Sequence, residues 1–134
     1  MVLFVDDEKR EMDSYVQELE LSKYKVVFKK DVDEALEFFE KNLTEIDLVI
    51  LDIMMPPGRS FAQNDTQMGL RTGIAFYKKI RDKAPELPLL IFTNVSDEKV
   101  SEWFRKEKKC RFLRKEDYLP FELVDEVKKV LQKS

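Results

Sequence analysis

The sequence predicts an α/β domain in which a doubly wound parallel sheet of five strands is flanked by five helices. Short apolar runs alternate along the 134-residue chain with segments whose apolar residues recur at helical spacing, a pattern typical of parallel α/β folds. The side chains of Asp6, Asp52, Thr93 and Lys115 lie at or just past the ends of four of these runs, where a strand would end. Crossovers between parallel strands are right-handed almost without exception, so five such units place helices on both faces of the sheet.

The first three strands are predicted from short apolar runs at residues 2–5, 25–28 and 46–51. The third run is the most apolar, as expected for a central strand that is covered on both faces. Two helices are predicted between these strands, at residues 8–21 and 32–42. Their apolar residues are spaced three and four positions apart, which is the spacing of one helix face.

The second half of the chain predicts two strands and three helices. The strands cover residues 89–92 and 110–113, and the helices cover residues 73–83, 97–108 and a closing segment that begins at Pro120 or Phe121. Ser96 belongs to a residue type that is favoured at helix N-termini, so it is predicted to cap the helix at residues 97–108. An irregular stretch rich in Pro and Gly separates the third strand from the third helix.

Composition excludes several classes of function. The chain has no histidine, which removes imidazole-based zinc sites and Ser-His or Cys-His catalysis. Its single cysteine, Cys110, cannot form an internal disulfide, which suits the reducing cytoplasm. No apolar run is long enough to span a bilayer, and Asp6 and Asp7 interrupt the N-terminal run, so we expect neither membrane insertion nor a signal peptide.

Charge is distributed unevenly along the chain. The net charge is −3, yet the segment from Arg105 to Lys115 contains seven basic residues and one acidic residue. This run is either a solvated helix end, where cations are favoured, or a docking patch for an acidic protein partner. A nucleic-acid surface is disfavoured, because the domain as a whole is acidic.

The residues at the predicted strand ends carry the chemistry. Asp6 and Asp7 follow the first strand, Asp52 follows the third, and Thr93 and Lys115 follow the fourth and fifth. Sites on parallel α/β sheets lie outside the carboxyl ends of the strands, so these side chains are expected to converge. Clustered carboxylates repel one another unless a cation neutralises them, and Mg²⁺ is the natural choice for oxygen ligands. One carboxylate could then accept a phosphoryl group as an acyl phosphate.

In their order along the chain, these residues give the sequence a resemblance to a known family. The segments that carry it are Val5-Asp6-Asp7-Glu8, Leu51-Asp52-Ile53-Met54-Met55-Pro56, Phe92-Thr93, and Phe112 three positions before Lys115. The chain resembles the receiver domains of two-component response regulators over nearly its whole length. The resemblance implies one receiver domain at residues 1–134 with the flavodoxin-like strand order 2-1-3-4-5.

The resemblance also implies roles for individual residues. Asp52 is implied as the phosphoacceptor, and Asp6, Asp7, Asp52 and the main-chain carbonyl of Met54 as the Mg²⁺ ligands. Thr93 is implied to hydrogen-bond the phosphoryl group and Lys115 to pair with it. Thr93 and Phe112 occupy the positions of the family's switch residues. Each residue alone has an ordinary structural explanation, such as a helix cap or a core side chain, and it is the ordered combination that is specific.

The implied function is a phosphorylation-controlled signalling switch of the stand-alone type. A histidine kinase or phosphotransfer protein would supply the phosphoryl group, and the output would be a protein contact through residues 97–121, made by a monomer or a phosphorylation-dependent dimer. Self-phosphotransfer and autodephosphorylation would be its only reactions. One alternative is a pseudo-receiver that acts as a constitutive interaction module. A phosphatase resembling the haloacid dehalogenase family is disfavoured, because Met54 stands where such enzymes need a second acid.

Three departures from the family pattern bear on these expectations. Residues 57–72 contain about a dozen more residues than the family uses there, and this insertion could be a lid, a partner-docking element or a neutral loop. Glu116 follows Lys115 where the family normally has a cis proline, so that bond is either a strained cis bond or trans. Met54 and Val95 are apolar and cannot orient an attacking water, so slow autodephosphorylation is expected.

Overall fold

The computed structural model describes residues 1–61 and 71–132, which contain five strands and five α-helices in alternation. The strands are β1 (Val2–Val5), β2 (Val26–Lys29), β3 (Leu48–Leu51), β4 (Leu89–Thr93) and β5 (Cys110–Arg114). The helices are α1 (Lys9–Leu21), α2 (Val32–Lys41), α3 (Thr72–Lys83), α4 (Glu98–Arg105) and α5 (Pro120–Gln132), with a 3₁₀ turn at Lys115–Asp117. Most of the predicted insertion, residues 62–70, lies outside the described residues.

All strand pairs are parallel, and the sheet order is β2-β1-β3-β4-β5. β1 lies between β2 and β3, so Val2 pairs with Val26 on one side and with Leu48 on the other. Every residue of β1, β3 and β4 is buried, as expected for central strands that are covered on both faces. The predicted fold class and strand order are confirmed.

Two apolar clusters lie on opposite faces of the sheet, because successive side chains of a strand point to opposite sides. Leu3 and Val49 pack with residues of α2, α3 and α4, including Phe39, Tyr77 and Phe104. The neighbouring strand residues belong to the other cluster, which packs against α1 and α5. Helices therefore cover both faces, as the doubly wound prediction requires.

The insertion begins as an ordered segment packed on α2 and α3. The Asp33 carboxylate accepts hydrogen bonds from the main-chain amides of Arg59 and Ser60, at 2.7 and 2.6 Å. Phe61 is buried, and its ring centroid lies 5.9 Å from that of Phe76. Residues 59–61 are thus held against the helices on one sheet face.

The α4 helix differs from its prediction at both ends. Its N-cap is Asp97 rather than Ser96, because the Asp97 carboxylate accepts a hydrogen bond from the Lys99 amide at 2.8 Å. The helix ends at Arg105, earlier than predicted, and Lys109 takes a φ of +55° where the chain turns into β5. Within the described ranges, no helix combines the length and apolar character needed to cross a membrane.

Candidate functional site

The carboxyl edge of the sheet brings the predicted site residues together. Asp6 and Asp7 follow β1, Asp52 follows β3, Thr93 is the last residue of β4, and Lys115 opens the 3₁₀ turn after β5. The Asp52 amide donates a hydrogen bond to the Val5 carbonyl at 3.0 Å, which extends the parallel pairing beyond the strands. Neighbouring strands end level with one another, so the side chains that follow them face a common space.

Four carboxylates form a cluster at this edge. Asp6, Asp7, Glu8 and Asp52 each offer an oxygen, and these four atoms all lie within 4.8 Å of one another. Asp6 and Asp52 are buried, whereas Asp7 is exposed to solvent. An all-oxygen set with an exposed side suits Mg²⁺, which keeps several waters when it binds. The sequence prediction gave Glu8 no role in the site. Its position directly after Asp6 and Asp7 could have indicated that it belongs to the acidic cluster.

Lys115 is the cation that faces this cluster. Its side chain is only 7% exposed, and its Nζ lies 2.8 Å from Asp6 Oδ2, 3.4 Å from Glu8 Oε1 and 3.5 Å from Asp52 Oδ2. One ammonium group thus faces three carboxylates. The described side chains leave the cluster with excess negative charge.

The pKa values of these groups reflect burial and mutual repulsion. Burial raises the pKa of Asp6 to about 6; repulsion from Asp52 adds to this shift, and Lys115 opposes it. Burial also raises the pKa of Asp52, against the attraction of Lys115 and a hydrogen bond from Thr93. Burial alone would lower the pKa of Lys115, but the attraction of Asp52 and Asp6 holds it above its usual value. A divalent cation would relieve this repulsion.

Asp52 is oriented by contacts on both of its oxygens. Its Oδ1 accepts a hydrogen bond from the Ile53 amide at 2.8 Å, and its Oδ2 faces Lys115. The Thr93 hydroxyl, which is fully buried, accepts a hydrogen bond from the Val95 amide at 3.3 Å, and it acts on the Asp52 carboxylate to lower its pKa. The carboxylate is therefore held in a defined direction before any phosphoryl group arrives.

A cavity of about 530 Å³ opens beside Asp52. It is lined by Asp7, Glu8, Asp52, Met54, Met55, Pro56, Pro57, Thr93, Asn94 and Val95. The three carboxylates and the Thr93 residue thus border a space large enough for a phosphoryl donor's phosphate. Met54 is 50% exposed here, so its apolar side chain stands at the entrance.

Solved structures with the same architecture are receiver domains. A response regulator receiver domain protein from Clostridium thermocellum matches with a TM-score of 0.79 and 23% identity, covering 98% of this chain and 94% of that one. The NtrX receiver domain from Brucella abortus matches with a TM-score of 0.78 and 22% identity, covering both chains completely. The receiver domain of the hybrid histidine kinase CckA has 27% identity and a TM-score of 0.71, covering 97% of each chain.

The chain has the receiver-domain fold. No protein-family model matches the sequence, and neither does any curated protein. The fold likeness thus comes from the structure, while the likeness at the site comes from the residues at the strand ends.

The loop after β5 contains the Lys115–Glu116 peptide bond, at the position where the family normally has a cis proline. No cis peptide bond occurs among residues 1–61 and 71–132, so the Lys115–Glu116 bond is trans. Lys115 nevertheless reaches Asp52 and Asp6 from the first position of the 3₁₀ turn. The absence of the family's proline therefore does not remove the lysine from the site.

The predicted switch residues lie on neighbouring strands of the receiver fold. Thr93 on β4 is paired with Arg114 on β5, two residues beyond Phe112. The Phe112 ring is half-buried and stacks on Phe104 of α4 with centroids 5.9 Å apart. Phe112 also lines a groove of about 280 Å³ between α4 and β5. A movement of Thr93 toward Asp52 would alter the packing beside this groove.

Proposed function

We propose that this chain is a phosphorylation-controlled signalling switch in which Asp52 accepts a phosphoryl group from a histidine kinase or a phosphotransfer protein. The observation that carries the proposal is that Asp52 lies within the acidic cluster, beside a cavity at the carboxyl edge of the sheet, with Lys115 Nζ 3.5 Å from its Oδ2. The fold likeness to receiver domains supports it. The single cysteine suits the cytoplasm, where such donors would meet it.

Asp6, Asp7 and Asp52 would hold Mg²⁺, together with the main-chain carbonyl of Met54. The residues fit the ion, because four carboxylate oxygens lie within 4.8 Å of one another and one ammonium group does not balance them. When bound, the ion would neutralise charge on the equatorial oxygens of the transferring phosphoryl group. Lys115 and Thr93 would add a second cation and a hydroxyl group beside Asp52.

The transfer step needs no further catalytic group from this chain. A carboxylate oxygen of Asp52 forms a bond to phosphorus while the P–N bond of the donor's phosphohistidine breaks, and the departing imidazole keeps the electron pair. Because the chain has no histidine, the donor must be another molecule. We propose that self-phosphotransfer and the later hydrolysis of the acyl phosphate are its only reactions, since Met54 offers no acid for a separate substrate.

Thr93 and Phe112 would convert the modification into a change of surface. A phosphoryl group on Asp52 offers the Thr93 hydroxyl a strong acceptor, which draws Thr93 toward the site. The space this leaves is available to Phe112, whose half-buried ring lies on the neighbouring strand. The side chains of Thr93 and Phe112 would thus switch together between two arrangements, and the charge on Asp52 would determine which arrangement is favoured.

Output would pass through the face built from residues 97–121. This face carries α4, β5 and the 3₁₀ turn, and it includes exposed basic residues such as Arg105, Lys106 and Arg111. An acidic protein surface is the partner that this charge favours. We expect a monomer or a phosphorylation-dependent dimer, with no direct contact to nucleic acid or membrane.

Intact-mass spectrometry tests the proposal. Wild type, Asp52→Asn and Asp82→Asn are incubated with acetyl phosphate, with Mg²⁺ or with EDTA. Asp82 is exposed on α3, far along the chain from the cluster, and serves as the matched control. A phosphate-sized gain in wild type and Asp82→Asn, dependent on Mg²⁺ and absent from Asp52→Asn, is expected. No gain in wild type would contradict the proposal and favour a constitutive interaction module.

A further inference from the structure

The N-terminus of α3 is hydrogen-bonded to the loop that follows Asp52. The Gly73 amide donates to the Ile53 carbonyl at 2.8 Å, and the Thr72 hydroxyl donates to the Met55 carbonyl. These two bonds lie on either side of Met54. The peptide groups that flank the proposed carbonyl ligand are therefore tied to one helix end.

The contact is close enough that only glycine fits at position 73. A Cβ there would overlap the Asp52 carbonyl oxygen and lie 2.5 Å from Ile53 Cα. Thr72 is fully buried in this contact, and Met55 is buried with it. The start of α3 and the loop after β3 thus form one packed unit, although 19 residues separate Ile53 from Thr72 in the sequence.

The Thr72 hydroxyl is not used to cap its own helix. The N-cap of α3 is Arg71, which makes no side-chain capping hydrogen bond. Threonine is also a weaker helix former than alanine or leucine, so helix formation gives no reason for it at this position. Its one described hydrogen bond goes to the loop beside the acidic cluster.

We infer that Thr72 is a positioning residue for the metal site: its hydroxyl fixes the Met55 carbonyl so that the Met54 carbonyl is held toward Asp6 and Asp52. This rests on the proposed function and adds a residue to it. Groups that hydrogen-bond the surroundings of a metal ligand fix its orientation, and losing one typically weakens metal binding by about 10–100-fold. Met54 itself is half-exposed, so its side chain offers little restraint.

Calorimetric titration of the metal-free protein with Mg²⁺ tests the inference. Thr72→Val keeps the shape of the side chain and removes the hydroxyl, whereas Thr72→Ser keeps the hydroxyl. We expect Thr72→Val to raise the Mg²⁺ dissociation constant about tenfold and Thr72→Ser to restore it to near the wild-type value.

A second variant separates positioning from a general loss of stability. Val127→Ala opens a cavity in the apolar cluster on the other sheet face, so it should lower stability without changing the Mg²⁺ dissociation constant. Equal Mg²⁺ affinities for wild type and Thr72→Val would overturn the inference and leave the proposed function standing. If wild type bound no Mg²⁺ and gained no phosphate, both would fall.

Discussion

Replacing Asp6 by asparagine should stabilise the metal-free protein at neutral pH, although most changes inside a domain destabilise it. Asp6 is fully buried, and burial together with repulsion from Asp52 raises its pKa from the usual 3.8 to about 6. At pH 7 the Asp6 carboxylate is ionised, and its ionisation costs more free energy in the folded protein than in the unfolded chain. Asparagine removes the charge and keeps the side-chain oxygen, which accepts from the Glu8 amide at 2.8 Å.

The magnitude follows from the pKa. One pKa unit corresponds to about 1.4 kcal/mol, so the shift of Asp6 represents roughly 3 kcal/mol of destabilisation at pH 7. Because the pKa of Asp6 is raised in the folded state, the destabilisation due to Asp6 is absent below pH 4 and develops as the pH rises toward 6, where the folded protein binds more protons than the unfolded chain. The opposing attraction of Lys115 is already included in this shift, so we expect a net gain of up to about 3 kcal/mol in the Asp6→Asn variant.

The assay is urea unfolding in EDTA at several pH values between 4 and 8, followed by circular dichroism. The stability difference between Asp6→Asn and wild type should grow from pH 4 to pH 7. Asp33→Asn is the control, and its expected change in stability has the opposite sign. Hydrogen bonds from the Ser60 hydroxyl and the amides of Arg59 and Ser60 hold the pKa of Asp33 below its usual value. Asp33→Asn should therefore be less stable than wild type at pH 7.

Magnesium should reduce the stability advantage of Asp6→Asn over wild type. Ligand that binds only the folded state stabilises it by mass action, and Asp6→Asn has lost one carboxylate ligand. Wild type should therefore gain more stability than the variant from millimolar Mg²⁺. A metal-free Asp6→Asn protein that is less stable than wild type at pH 7, with no pH-dependent difference, would refute the argument from burial and repulsion.

Three further changes have definite expected results. Lys115→Met leaves Asp6 and Asp52 buried without their cation, so it should lower the free energy of unfolding in EDTA by about 3 kcal/mol. A urea unfolding curve that matches wild type would contradict a stabilising role for these ion pairs. Phe39→Ala removes a fully buried ring, and should cost about 3–5 kcal/mol in the same assay. Met54→Asn puts a polar group at the half-exposed cavity entrance. It should speed loss of the acyl phosphate, measured by phosphate release; a wild-type half-life of seconds at room temperature would count against slow autodephosphorylation.

The sheet and the main site residues could be predicted from the sequence for one physical reason. Parallel strands end at a common edge, so the residue that follows each apolar run is placed by the topology. Asp6, Asp52, Thr93 and Lys115 were found in this way and lie around one cavity or contact one another. The alternation of apolar runs with helical spacing predicted the parallel α/β sheet, whereas the strand order was implied by the family resemblance.

Contacts between distant segments could not be predicted. The Asp33 carboxylate binds amides 26 and 27 residues away, and Thr72 binds Met55 across the insertion. Neither contact leaves a periodic pattern in the sequence. The predicted cap of α4 was wrong by one residue because both Ser96 and Asp97 are favoured caps, and only the three-dimensional path of the chain selects Asp97.

Mapping the phosphorylated residue tests the central claim most directly. Wild type is treated with acetyl phosphate and Mg²⁺, and the acyl phosphate is then reduced with borohydride, which converts the phosphorylated aspartate to homoserine. Peptide mass spectrometry identifies the converted position. We predict homoserine at position 52 and at no other aspartate. Conversion of Asp6 or Asp7 instead, or of no residue despite a phosphate-sized mass gain, would contradict the assignment of Asp52 as the phosphoacceptor.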